Sequence, residues 1–181
     1  MLGAADRDAR LAAVAREHFG FIWRSLRRLG VPEHAVDDAA QQVFEVGSRR
    51  LAEVEAGREK AFLFKTALLV AMEARRHAAR ARARSTDTEV EALNAAGPTP
   101  EEAALVSEKR LLLDHVLATL ELDERTVFVL YEIEELKLAE IAELVGIPRG
   151  TVASRLRRAR EAFHTEVRRL RARLEFPRRH P

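Results

Sequence analysis

The chain has no cysteine, one tryptophan and one tyrosine, and only eight glycines and six prolines in 181 residues. Without cysteine there is no disulfide framework and no thiolate metal site. The six histidines are scattered, with no H-x3-H pair and no neighbouring acid at ligand spacing, so neither a metal nor a cofactor is expected. No apolar run approaches the length of a membrane span. The amino terminus carries Asp6, Arg7, Asp8 and Arg10 where a signal peptide would need an apolar core, so the expected location is cytoplasmic, without membrane insertion. There is no phosphate-binding glycine loop and no nucleophile elbow. Asp37-Asp38 is the only paired acid near a predicted core, and both are expected to face solvent, so no enzyme is expected. Alternating β-branched residues are as sparse as glycine and proline, which leaves an all-α class.

What is present is alanine, leucine, arginine and glutamate. Apolar residues make up 47% and charged residues 33% of the chain, enough apolar material for one large or two small cores. The net charge is only +2, but the pI is about 9.4 because the charge is segregated. Arginines dominate from Arg149 onward, opposed only by Glu161, Glu166 and Glu175. A second basic run, RRHAARARAR, covers residues 75–84. Acids collect instead around Glu33 to Glu45 and Asp87 to Glu102. This asymmetry predicts two surfaces that face nucleic acid, with acidic surfaces left for another partner.

The rest of the chain is organised around LAEIAELVGIPRGTVASRLRRAR, Leu138 to Arg160. Leu138, Ile141, Ala142 and Val145 share one face of a short helix. Gly146 suits the left-handed turn that ends it, Ile147 plugs the corner, and Pro148 suits the start of the next helix. That helix buries Val152, Leu156, Ala159 and Phe163. Its other face carries Arg149, Thr151, Ser154, Arg155, Arg157 and Arg158. An apolar side opposite an Arg/Ser/Thr side, after such a turn, predicts a helix-turn-helix that reads the major groove.

Taken in order, residues 6–29 predict a first helix with Leu11, Val14, His18, Ile22, Leu26 and Leu29 in one stripe. Phe21 and Trp23 flank it, Trp23 as a core anchor, and Gly30 ends it. Pro32 opens a second helix that buries Val36, Ala40, Val43 and Phe44; Glu33, Asp37 and Asp38 in its first turns oppose the positive helix end. Residues 50–60 read as a loop or a loose helix end around Gly57. A third helix from about Lys60 to Arg84 begins apolar nearly all round, hence the most buried, and ends as a basic rod fit to meet phosphate. Residues 85–98 predict a flexible acidic linker. Thr99-Pro100-Glu101-Glu102 then reads as a capping box, followed by a helix to about Thr119 that buries Leu105, Leu112, Val116 and Leu120. Asp123 is expected to cap the next helix, with Val127, Leu130 and Tyr131 inward. The helix-turn-helix follows, its last helix reaching toward Leu174, and residues 175–181 are expected to be a disordered tail. The expected architecture is two small helical domains, residues 6–84 and 99–174, joined by the 85–98 linker.

This order of elements resembles RNA polymerase sigma factors of the sigma-70 family, in their extracytoplasmic-function (ECF) group. The segment LDERTVFVLYEIEELKLAEIAELVGIPRGTVASRLRRAREAF is similar to the family's domain four, and DDAAQQVFEV is similar to the "ED-VQEVF" helix of domain two. The resemblance covers about residues 10–170. It implies a protein that binds core RNA polymerase and directs promoter recognition, with no chemistry of its own. Asp38, Gln41, Gln42, Val43, Phe44 and Glu45 would dock on the β′ clamp. The third helix, with Lys65, Arg75, Arg76 and Arg80, would meet the −10 promoter element. The 50–60 loop would capture an unpaired base. Arg149, Thr151, Ser154, Arg155 and Arg158 would read the −35 element, and domain four would also touch the β flap. The resemblance further implies an anti-sigma partner, and the free chain is expected to be a monomer.

The chain departs from the family pattern at identifiable positions. Gln42 stands where glutamate is usual. Leu68-Leu69 replaces Arg-Asn, Phe62 replaces tryptophan and Glu73 replaces aspartate in the segment that orders the melting site. Ala153 replaces a frequent lysine or arginine on the recognition helix. The competing reading is a stand-alone helix-turn-helix regulator without polymerase docking. It leaves DDAAQQVFEV and the all-α amino-terminal half without a role, and binding to core polymerase separates the two.

Overall fold

The computed structural model describes residues 4–84 and 100–175, which form helices with no strand among them. The predicted linker, Thr99 and residues 176–181 lie outside the described residues.

Helix α1, Ala4–Arg28, presents the expected stripe: Ile22 and Leu26 are fully buried and Val14 and Leu29 nearly so. It ends at Gly30, whose φ of 97° is open to glycine at little cost. Proline fixes Pro32 at φ −55° and starts a single 3-10 turn, Glu33–Ala35, before α2, Val36–Arg50. Val36, Ala40 and Val43 are fully buried. Trp23 is a partial anchor only: it packs against the core, and its Nε1–H donates to Asp37 Oδ1 at 2.8 Å. A 3-10 turn, Leu51–Glu53, leads through a loop to α3, Glu59–Arg84.

The third helix is not buried all round. Leu63, Phe64, Ala67 and Ala71 face inward, but Leu69 is 67% exposed and Met72 also faces solvent. A helix that packs on its neighbours along one side leaves the opposite side in water, whatever its composition.

In the second half, α4 spans Pro100–Ala118, α5 Leu122–Phe128, α6 Leu138–Val145 and α7 Arg149–Glu175. A π-helical turn, Val129–Ile133, continues α5. The inward face of α4 is Val116 and Leu117, followed by Leu120. Leu112, expected inside, is 38% exposed and lines an open apolar groove with Val167 and Leu170 of α7. Leu105 lies where no side chain is described. Asp123 does not cap α5: Glu121 holds the N-cap position, Asp123 lies inside the first turn, and its carboxylate pairs with Arg155 of α7. Glu175, assigned to the tail, is the last helical residue.

The two halves are not independent. One buried cluster contains Ile22, Phe64 and Ala67 together with Leu130, Ile141, Leu144 and Val152, and α6 packs on α3. Charged pairs ring the seam. Glu134 accepts from Arg28 and, at 3.4 Å, from Arg24. Arg27 meets Asp114 at 3.4 Å, and Arg58 meets Glu143 at 3.7 Å. Truncating Ile141, fully buried at this junction, to alanine is expected to lower stability by about 2–5 kcal/mol, read as a shift of the urea midpoint at unchanged slope.

Candidate nucleic-acid interface

The carboxy-terminal site is built by a turn that only its own residues explain. Gly146 adopts φ 79°, closing α6 with its N–H on the Ala142 carbonyl at 2.9 Å. Ile147 N–H reaches the same carbonyl at 3.1 Å, and Thr151 and Val152 N–H groups fold back to Pro148 at 2.9 and 3.0 Å. Two helices thus meet across three residues. Val152, Leu156 and Ala159 then lock α7 to the core.

On its outer face, Arg149, Ser154, Arg157 and Arg158 are exposed, and Thr151 is half-exposed. Their charges are unequal in freedom. Arg155 pairs with Asp123 at 2.5 Å, and its side chain keeps 21% of its exposure. Arg158 pairs with Glu124 at 3.0 Å, and Arg157 with Glu161 at 3.0 Å. Arg149 has no acid within ion-pair distance among the described residues. Exposed pairs of this kind hold an arginine in position at a cost of about 1 kcal/mol or less to break, so they preorganise the face without closing it. Arg155→Ala is expected to weaken binding to a cognate site about ten- to a hundredfold, as for one lost bidentate base contact, and to spare random DNA. Equal losses on both, measured by fluorescence anisotropy, would make Arg155 a phosphate contact instead.

The second basic surface is the exposed side of α3. Lys65, Leu69, Arg76 and Arg80 lie open there. Lys65 sits against the Gly146 turn, its Nζ 3.1 Å from where a Cβ on that glycine would stand. The helix-turn-helix of one half therefore covers one end of the basic helix of the other. Arg75 departs from the expected set: its guanidinium turns into the seam and donates to the Leu29 carbonyl at 3.2 Å.

On α2, Asp38, Gln41, Gln42 and Glu45 form one exposed strip, with Gln41 donating to Glu45 at 3.0 Å. Phe44 edges this strip, half-buried and stacked on Phe19 of α1 at 5.8 Å between ring centres. Phe19 is 47% exposed and was not singled out from the sequence, because it falls outside the α1 stripe. Among the described residues no group of three or more histidines or acids is placed to hold a metal. No described helix is long and apolar enough to cross a membrane.

This geometry defines a helical protein, without strands among the described residues, whose carboxy-terminal helix-turn-helix presents a basic helix to solvent. The family model for Sigma-70, region 4 matches residues 110–163, from α4 through the helix-turn-helix. The chain is similar to the ECF RNA polymerase sigma factor SigW of Bacillus subtilis, 40% identical over 72 residues, or 40% of this chain and 38% of that protein. It is 26% identical to the ECF RNA polymerase sigma factor SigE of Mycolicibacterium smegmatis over 148 residues, 82% of this chain and 58% of the relative. The chain thus spans less than two thirds of the length of these curated relatives. Two solved structures share the fold. One is CnrH in complex with the cytosolic domain of CnrY, with a TM-score of 0.65, 21% identity and 88% of both chains covered. The other is the sigma factor RpoE in complex with the anti-sigma factor NepR from Bartonella quintana, with a TM-score of 0.63, 19% identity, and 89% and 96% covered. Residues 110–163 thus match the sigma-70 family in its region 4, and the chain is similar to sigma factors of the ECF group.

Proposed function

We propose that this chain is an ECF-type sigma factor that binds core RNA polymerase and directs it to promoters. The observation that carries the reading is the recognition helix. Arg149, Thr151, Ser154, Arg155 and Arg158 share the outer face of α7, behind a left-handed glycine turn, within the segment that matches region 4. In this reading they address the −35 element, and Lys65, Arg76 and Arg80 on α3 address the −10 element. The α2 strip of Asp38, Gln41, Gln42 and Glu45, with Phe44 beside it, docks on the β′ clamp. Domain four also meets the β flap.

The protein then performs no catalytic step. It works in the cytoplasm as a specificity subunit, a monomer when free. One structural neighbour was solved with the anti-sigma factor NepR bound and the other with the cytosolic domain of CnrY, which supports an anti-sigma partner for this chain as well. Adding the purified chain to core polymerase and separating the mixture by gel filtration tests the docking. Co-migration is expected, and its loss at moderate salt would count against an interface with an apolar centre at Phe44 and Phe19.

A further inference from the structure

The seam between the two halves encloses a cleft of about 360 Å³. Its walls are small, Gly30 with Ala78, Ala79 and Ala118, and its charges are Arg27, Arg75, Arg125, Asp114 and Glu33. Asp114 is engaged with Arg27 at 3.4 Å, and Glu33 is exposed at the rim. That leaves Arg75 and Arg125 without a carboxylate in ion-pair distance among the described residues.

Arg125 is the anomaly. It is 3% exposed, deeper than an unpaired charge is ordinarily found. Its Nε–H donates to the Arg28 carbonyl, and its terminal nitrogens lie along the Gly30 backbone, where a Cβ would stand 2.9 Å from Nη1. Burial, with Arg75 adding to it and Asp114 opposing, lowers its pKa to about 10, so it stays charged at neutral pH. The nearest counter-charge, Asp114, lies beyond ion-pair distance of Arg125 and is shared with Arg27, and a buried charge so weakly compensated is unfavourable. A planar guanidinium fork matches the geometry of a phosphate oxygen pair.

We propose that this cleft binds a small phosphate-bearing anion, held by Arg125 and Arg75. The site draws one guanidinium from each half of the chain, so the anion bridges the halves and holds them together. The inference stands on the seam geometry and does not require the promoter reading.

The full chain titrated with inorganic phosphate, pyrophosphate and a nucleoside triphosphate, at constant ionic strength, tests it. A saturable rise in melting temperature is expected with millimolar or lower ligand. Arg75→Gln is expected to weaken the binding about tenfold or more, as for one lost charge-assisted hydrogen bond. Ala79→Glu supplies a carboxylate from the exposed end of the wall, so it is expected to raise the melting temperature of the anion-free chain and to abolish the response to phosphate. A polyphosphate preference assigns the site to a nucleotide or pyrophosphate, and equal binding assigns it to single phosphate; both support the site. Three results would overturn it: no response to any of the three anions, an unchanged response in both variants, or protection of Arg75 and Arg125 by duplex DNA alone.

Discussion

A chain carrying Arg58→Cys and Glu143→Cys, joined by a short reducible bis-maleimide, is expected to lose promoter-dependent transcription about a hundredfold. The residue is set by the fraction left unlinked. Reduction of the link is expected to restore it. The argument is one of length. The −10 and −35 elements lie about 25 base pairs apart, roughly 85 Å at the axial rise of one strand of B-DNA. In the present arrangement α6 packs directly on α3, and Lys65 touches the Gly146 turn. If α3 addresses the −10 element and α7 the −35 element, as proposed, the contact of Lys65 with the turn that starts α7 keeps the two faces from meeting both elements at once. On that reading, promoter engagement requires the halves to separate. Arg58 and Glu143 face each other across the seam at 3.7 Å, and both are exposed. Because the chain has no cysteine of its own, the two introduced thiols are the only ones that react. Full activity of the linked chain would show that the packed arrangement itself engages promoters.

The second large effect is expected at α2. Asp38→Arg with Phe44→Ala is expected to reduce association with core polymerase by at least about a hundredfold. This double change reverses one exposed charge and removes one aromatic anchor, each worth about 1.5 kcal/mol or more at an interface centre. Asp38 is exposed and makes no ion pair among the described residues, so its reversal leaves the fold alone. Phe44 is half-buried against Phe19, so circular dichroism and the melting curve of the double variant are the control. Loss of binding with a native-like melt supports the docking face. Normal transcription by a folded double variant would remove it.

What was legible in the sequence is local. Gly146 and Pro148 are punctuation with a backbone reason, and the helix-turn-helix stands where they put it. The α1 stripe repeats over about five turns, so its phase could not slip. The misjudged residues are those whose surroundings are supplied by distant chain. Leu112 looked buried by spacing, but α4 turns its neighbours Leu113, Val116 and Leu117 inward. Asp123 looked like a cap because no local pattern reveals Arg155 waiting for it. Leu69 looked buried because the run around it is apolar.

The seam was the least legible feature. Arg28 and Glu134 are 106 positions apart, and each reads alone as a solvated surface charge. Arg125 is the sharpest case: a charged residue in the last turn of a short helix gives no sign, in sequence, of being buried beneath the Arg28 carbonyl. The candidate site divides the same way. The recognition-helix residues are recognisable from one stretch, whereas Phe19 joins Phe44 only through the packing of α1 on α2.

The most direct test of the central claim is transcription by core polymerase with the purified chain on a library of promoter fragments. Specific, salt-sensitive transcripts are predicted, with start sites that align to two conserved upstream elements. Absence of transcripts together with failure to bind core polymerase would contradict the account and leave a helix-turn-helix protein that acts on DNA without polymerase.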